Sequence, residues 1–161
     1  MDPFNFADAL LGVLAQRLAK RLCKKCKEPY VAEEREVKSL LNEYCEELRK
    51  INHFKQNPES ALDEILENWK KLYGNEKGQI VLYKSVGCDD CAGTGYSGRV
   101  GLHELLTVSD ALKKNIQERA RVADMLVTAL SEGMRTLKQD GIEKVLQGIT
   151  DIHQVRIVCI K

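Results

Sequence analysis

The sequence has 161 residues, of which 43% are hydrophobic and 30% are charged, and its mean hydropathy is −0.34. This length suits one compact core, or two small units that share one. No apolar stretch approaches the roughly 20 residues that span a bilayer. The N-terminal segment is acidic at its start and basic at its end, which is the reverse of a secretory signal. The chain is therefore expected to be cytoplasmic, with no direct membrane insertion.

Charge is unevenly distributed along the chain. The formal net charge is +1, which gives no global electrostatic argument for nucleic-acid binding. Residues 1–27 carry six basic and two acidic side chains, whereas residues 28–75 carry seven basic and eleven acidic ones. This dipolar pattern favours docking on other protein surfaces.

The first predicted element is a helix over residues 4–22. Leucines recur there at three- and four-residue steps, and the basic last turn suits the negative end of a helix dipole. These leucines are Leu10, Leu11, Leu14, Leu18 and Leu22.

Two further helices are predicted, one at residues 33–51 and one that starts at residue 61 and ends at 73–75, with a break at Pro29 before the first. Each carries one apolar stripe and a charged far side, and residues 57–60 combine a helix stop with a new start. The stripes are Val37, Leu40, Leu41, Tyr44, Leu48 and Ile51 in the first helix, and Ala61, Leu62, Ile65, Leu66, Trp69 and Leu72 in the second. The pattern predicts a helical hairpin packed on the rest of the chain.

A small β element is predicted next. Residues 79–85 (QIVLYKS) are short, β-branched and bounded by glycines, as is typical of a strand. Residues 87–101 are rich in glycine, serine and threonine, which indicates a tight loop leading into a short strand at residues 99–102.

The rest of the chain is predicted to be helical. Ser109 is an N-cap candidate, and short helices are expected at 111–120, 122–138, 142–147 and from Asp151 onward, although 155–160 fits a strand equally well. Thr150 is a candidate cap of the last helix, and three glycines are expected to act as kinks or C-caps, namely Gly133, Gly141 and Gly148.

Two CxxC pairs, Cys23/Cys26 and Cys88/Cys91, are the strong chemical signal. A cytoplasmic chain keeps its thiols reduced, so paired cysteines favour metal over disulfides. A two-residue spacer lets both thiolates of a turn converge on one tetrahedral ion, and two such turns complete the coordination of one structural zinc. The sequence therefore predicts these four cysteines as zinc ligands.

The turns flanking the sulfurs fit this prediction. Gly93 and Gly95 supply the unusual backbone angles of a turn that aims its N–H groups at sulfur. Three lysines of the first turn are expected to offset the negative charge of a zinc tetrathiolate: Lys24, Lys25 and Lys27. The 61 residues between the pairs exceed the roughly 15 to 20 of common zinc ribbons, so a hairpin whose ends lie close together is expected to be inserted between them.

Other chemistries are less consistent with these residues. A redox CxxC needs a βαβ frame that neither pair has, and an iron–sulfur cluster remains an alternative use of four thiolates. Cys45 and Cys159 are interpreted as packing residues. The three histidines, His53, His103 and His153, are interpreted as isolated, with His103 half-buried and structural. The sequence contains no phosphate-binding or nucleophile-elbow motif, and it indicates no catalytic or cofactor-binding residue.

Three segments, taken together, resemble the C-terminal part of the GspE/PilB family, the hexameric cytoplasmic ATPases of type II secretion and type IV pilus assembly. The segments are AQRLAKRLCKKCKEPY (15–30), GCDDCAGTGYSGRVGLHELLTVSDALKKNI (87–116) and EGMRTLKQDGIEKVLQGIT (132–150). The resemblance covers residues 2–26 and 87–158 and leaves out 31–76, where a longer insertion is expected.

The resemblance implies that Cys23, Cys26, Cys88 and Cys91 form the family's zinc site. It also implies that residues 1–22 are the last helix of a RecA-like ATPase core, that 23–101 are a zinc-binding subdomain with a helical hairpin at about 31–75, and that 102–161 are a C-terminal helical domain. The expected fold class is mainly α with a small β element at the tetracysteine site.

Within this resemblance the chain is a fragment of a longer ATPase and is not an enzyme by itself. ATP and Mg²⁺ are expected to bind only in the full-length parent, whose Walker motifs lie upstream. The implied partners are neighbouring ATPase subunits and the inner-membrane platform protein, with the protein peripheral to that membrane. Whether the parent serves secretion or pilus assembly is left open.

Two other zinc modules share part of this pattern. Residues 88–95 match the CxxCxGxG unit of Hsp40-type co-chaperones, but residues 23–29 lack its glycines. A nucleic-acid-binding ribbon requires a basic, aromatic face near the metal, and Asp89 and Asp90 oppose it.

Overall fold

The computed structural model describes residues 2–159, so Met1, Ile160 and Lys161 lie outside the described part of the chain. It is mainly α with a small β part, as predicted. The helices are α1 (Pro3–Ala9), α2 (Glu34–Cys45), α3 (Asn52–Gln56), α4 (Pro58–Tyr73), α5 (Asp110–Gln117), α6 (Val122–Ser131), α7 (Leu137–Leu146) and α8 (Ile152–Val158). The strands are β1 (Gly12–Leu22), β2 (Glu28–Val31), β3 (Val81–Lys84) and β4 (Tyr96–Thr107). None of the helices among residues 2–159 has the length and apolar character to cross a membrane.

The prediction of one helix over residues 4–22 is wrong. The short helix α1 ends at Ala9, and β1 then pairs antiparallel with β4 in a register that runs from Gly12 opposite Thr107 to Lys20 opposite Arg99. The leucine spacing is compatible with a helix, but backbone pairing with a strand about 90 residues away prevails over this local pattern. β1 and β4 form the outer sheet, and β4 extends well beyond the predicted strand at 99–102.

The second two-stranded sheet was only half predicted. The strand predicted within residues 79–85 is confirmed as β3, and its partner β2 begins where only a break at Pro29 was expected. β2 pairs antiparallel with β3, from Glu28 opposite Lys84 to Val31 opposite Val81. This inner sheet brings the two ends of the helical insertion together, as the sequence had suggested.

Both predicted helices of the helical insertion, at about residues 31–75, are present, with one change. The helix predicted at 33–51 ends at Cys45, and a 3-10 turn (Leu48–Lys50) and α3 follow before α4. Both stripes pack against the core, and the buried rings of Tyr44 and Trp69 meet edge-on with centroids 5.2 Å apart. Leu72 was predicted in the stripe but is exposed.

The C-terminal helices differ from prediction mainly in their bounds. Ser109 caps α5 by accepting a hydrogen bond from the Leu112 amide, as predicted. The helix predicted at 122–138 ends at Ser131, because Gly133 has φ +96° and Thr136 starts α7 with a capping box. α7 therefore begins earlier than the predicted 142.

The last helix also differs in its cap. Gly141 lies inside α7 against Val155, so it is neither a kink nor a cap, whereas Gly148 ends that helix with φ +70°. Asp151, not Thr150, caps α8 by accepting from the Gln154 amide. α8 runs to Val158, which removes the strand alternative for the described residues of 155–160.

One hydrophobic core joins the insertion, the outer sheet and the C-terminal helices. Its buried members include Leu40, Tyr44, Cys45 and Trp69 from the insertion, Ala19 and Leu102 from the outer sheet, and Ile142, Val145, Leu146 and Val155 from α7 and α8. The division into regions 1–22, 23–101 and 102–161 stays a prediction, although the first region contains no long helix.

Candidate metal centre

The structure brings the four predicted cysteines together at the junction of the two sheets. Cys23 and Cys26 lie between β1 and β2, and Cys88 and Cys91 lie between β3 and β4. All four Sγ atoms are within 4.8 Å of one another, and the two pairs are joined by Sγ–Sγ distances of 3.9 Å (Cys23–Cys88) and 3.8 Å (Cys26–Cys91). The outer and inner sheets thus carry the two turns to the same point.

The sulfur positions fit a tetrahedral metal site. Four sulfurs at a Zn–S distance of about 2.3 Å are separated by about 3.8 Å along the edges of a tetrahedron. The Cys88–Cys91 distance is also 3.8 Å, so three of the six edges measure 3.8–3.9 Å. Cys23 and Cys91 are buried and the other two are half-buried, which leaves the sulfurs largely shielded from water.

Backbone amides point at the sulfurs, as expected from the glycines. The Gly87 amide donates to Cys26 Sγ at 3.3 Å, and the Cys88 and Gly95 amides donate to Cys91 Sγ, each at 3.2 Å. Gly93 and Gly95 have φ of +74° and +75°, which confirms their predicted backbone conformation. A Cβ on Gly95 would lie 2.5 Å from that of Ser85, so no larger residue fits there.

These amides make the site electrostatically asymmetric. The Cys88 N–H lowers the pKa of the Cys91 thiol to about 6, whereas burial raises the pKa of Cys26 to about 12. Burial of Cys26 therefore disfavours its thiolate form. A divalent metal is the group that would stabilise four thiolates at such short separations.

The lysines near the turns have specific partners. Lys25 Nζ lies 2.6 Å from Asp90 Oδ1 and thereby links the first cysteine turn to the second. Lys27 donates to the carbonyl of Gly148 at 2.6 Å and lies over the Tyr83 ring, 4.4 Å from its centroid. Lys24 is exposed to solvent. Charge compensation by all three lysines stays a prediction.

The remaining cysteines and histidines lie elsewhere. Cys45 is fully buried in the core and burial raises the pKa of its thiol to about 11, in agreement with a packing role. His103 is exposed, not half-buried as expected, and its backbone amide donates to Asp140 Oδ2 at 2.8 Å. Among residues 2–159, the four cysteines of the two turns form the one cluster of potential ligands able to hold a metal ion.

Sequence reasoning missed two contributors to the site. Gly87 has φ +107°, and a Cβ there would lie 2.6 Å from the Gly93 carbonyl oxygen, so this glycine allows the second turn to close. Thr94 Oγ1 donates to the Cys91 carbonyl at 2.7 Å. The glycine-rich composition of 87–101 signalled a tight loop but not these individual contacts.

Comparison with known proteins gives the family. The model of the family described as "Type II/IV secretion system protein" matches residues 1–157. The chain belongs to this family. Its relatives include a type IV pilus assembly ATPase PilB of Thermus thermophilus and a type II secretion system ATPase E of Vibrio cholerae, each 34% identical over 96% of this chain. A second PilB, from Acinetobacter baylyi, is 30% identical over 96% of the chain.

The chain spans only 14% and 24% of the lengths of the first two relatives. The matched span of the family model includes residues 31–76. That these residues form a longer insertion than the family carries stays a prediction. Because the chain belongs to this family, it is not interpreted as an Hsp40-type zinc domain or as a nucleic-acid-binding ribbon.

Proposed function

We propose that this chain is the zinc-binding and C-terminal helical region of a longer ATPase that powers type II secretion or type IV pilus assembly. The observation that carries the proposal is the convergence of Cys23, Cys26, Cys88 and Cys91 in a chain whose relatives are such ATPases. The chain covers only a small share of each relative's length, and this supports the proposal that it is part of a larger protein.

The role of the metal in this proposal is structural. Four thiolates fill a tetrahedral shell and leave no open position for water or substrate. The bound ion would cross-link two turns that are 61 residues apart in sequence, and so close the base of the helical insertion. ATP and Mg²⁺ belong to the parent protein, and this region contributes no catalytic residue.

The outer sheet has an exposed apolar face, which supports the proposal that another part of the ATPase packs against it. Leu14 and Leu105 lie opposite each other in the register and are 60% and 55% exposed, and Leu18 on the same face is 49% exposed. Exposed apolar patches on a sheet mark interaction sites. Each of the two strands also has one edge that pairs with no other strand among residues 2–159. We place the remainder of the ATPase on this side of the sheet.

The partners and location follow from the same proposal. Neighbouring subunits of a hexamer and the inner-membrane platform protein would contact the region, which would be cytoplasmic and peripheral to that membrane. The acidic excess of residues 28–75, against the basic excess of 1–27, supports docking through charged surfaces. Nucleic acid is not among the proposed partners.

The test uses the longer protein that carries this sequence. A Cys23→Ala, Cys88→Ala double variant is compared with a matched Cys45→Ala variant, which alters a cysteine outside the cluster. We expect the double variant to lose its zinc, to bind the platform protein more weakly and to lower secretion or pilus output, while Cys45→Ala keeps its zinc. A folded, zinc-free double variant with unchanged binding and output would contradict the proposal.

A further inference from the structure

The loop between α7 and α8, residues 147–151, lies against the flanks of both cysteine turns. The Leu22 amide, one residue before Cys23, donates to the Ile149 carbonyl at 2.9 Å. Thr150 Oγ1 donates to the Lys20 carbonyl at 2.8 Å. The end of β1 and the α7–α8 loop are therefore fixed to each other just before the first turn.

A second set of contacts follows the first turn. Lys27, one residue after Cys26, donates to the Gly148 carbonyl and stacks on Tyr83 of the inner sheet. Gly148 approaches the same ring so closely that a Cβ would lie 2.5 Å from its carbon atoms. The loop therefore packs, through Gly148, against both Lys27 and Tyr83.

A third contact follows the second turn. The Gly95 amide donates to Cys91 Sγ, and the next residue, Tyr96, donates its hydroxyl hydrogen to Asp151 Oδ2. Asp151 also caps α8 by accepting from the Gln154 amide at 3.0 Å. A single carboxylate therefore connects the second cysteine turn to the first residues of the last helix.

From this arrangement we infer that metal binding at the four cysteines sets the position of the α7–α8 loop and the order of α8. A shared ion adds a cross-link between the two turns, which the Lys25–Asp90 ion pair also joins. The contacts of Lys27 and Tyr96 extend from these turns to the loop. Loss of the metal releases the loop and frays the start of α8. The inference rests on the proposed zinc site and adds a conformational link from that site to the C-terminal helices.

Amide hydrogen exchange of the whole 161-residue chain, with zinc bound and after chelation under reducing conditions, tests the link. We expect chelation to speed exchange at both cysteine turns and over residues 147–158, while α5 and α6 keep their protection. A Lys27→Met, Tyr96→Phe variant should bind one zinc and lose the response over 147–158 but not at the turns. Lys24→Met, Tyr73→Phe is the matched control, since both side chains lie outside these contacts, and it should respond as the unmodified chain does.

Three outcomes would overturn the inference. The first is a zinc-binding chain whose exchange over 147–158 is unaffected by chelation, and the second is an equal response in the Lys27→Met, Tyr96→Phe variant. The third is loss of protection everywhere, including α5 and α6, because this means general unfolding and not a local link. Metal content is measured in parallel, so a chain that takes up no zinc is recognised as a failure of the proposed function itself.

Discussion

At the scale of single residues, Gly78 and Gly148 share a φ of +70° but differ in their surroundings. A Cβ on Gly78 would meet no atom within 4 Å, whereas on Gly148 it would meet the Tyr83 ring at 2.5 Å. The backbone angle alone disfavours a side chain at both positions by about 1 kcal/mol. The close approach to Tyr83 is specific to Gly148.

The two glycines therefore form a matched pair of variants. We expect Gly78→Ala to lower the free energy of unfolding by about 1 kcal/mol, from backbone strain alone. Gly148→Ala should lower it by about 1–3 kcal/mol more, because the methyl group overpacks against the ring. Urea unfolding of both variants measures the difference, and equal losses would show that the Tyr83 contact is not as close as described.

The four cysteines of the candidate metal centre were predictable because each pair is a local signal in the sequence. Cys23 and Cys26 are three residues apart, and so are Cys88 and Cys91, and this spacing alone indicates metal binding. The contact of Lys27 with Gly148 joins residues 121 positions apart, and no local sequence pattern predicts it. A pair of potential metal ligands close in sequence can be predicted in this way. The residues that pack around the site cannot, because they come from distant parts of the chain.

At the scale of secondary structure, the same distinction separates correct from wrong predictions. α2 and α4 were predicted because their apolar stripes repeat every three or four residues within one segment. β1 was predicted as a helix because its leucines satisfy that period too, while the pairing with β4 that makes it a strand is non-local. In the strand, Leu14 and Leu18 share an exposed face and Ala19 faces the core.

The two faces of β4 give a direct test of this assignment. Leu102 is completely buried, and Leu105, three residues on, is mostly exposed. We expect Leu102→Ala to lower the free energy of unfolding by about 2–5 kcal/mol, and Leu105→Ala to change it by less than about 0.5 kcal/mol. The measurement is equilibrium urea denaturation. Similar losses for the two variants would mean that the outer sheet presents its faces differently.

At the scale of the whole molecule, the insertion is packed on the C-terminal helices. Tyr44 of α2 donates to Glu143 Oε1 at 2.8 Å, and the buried side chain of Gln139 donates to the Tyr44 carbonyl at 3.1 Å. Arg135 also lies 2.6 Å from the Glu143 carboxylate. These polar contacts, together with the shared hydrophobic core, join the predicted zinc-binding subdomain to the predicted C-terminal domain.

This coupling has a consequence for unfolding. Trp69 is the single tryptophan of the chain and lies in the insertion, so its fluorescence reports on that part, while far-UV circular dichroism reports on all helices. We expect the two signals of the zinc-bound chain to change together in one urea transition. Two separated transitions would indicate that the insertion and the C-terminal helices unfold as independent units.

The central claim is the metal site, and the metal content of the purified chain tests it most directly. Elemental analysis under reducing conditions should find one zinc per chain, with zinc lost in a Cys91→Ser variant and retained in Cys45→Ala. A chain that contains no metal, or an iron centre that absorbs visible light, would contradict the account.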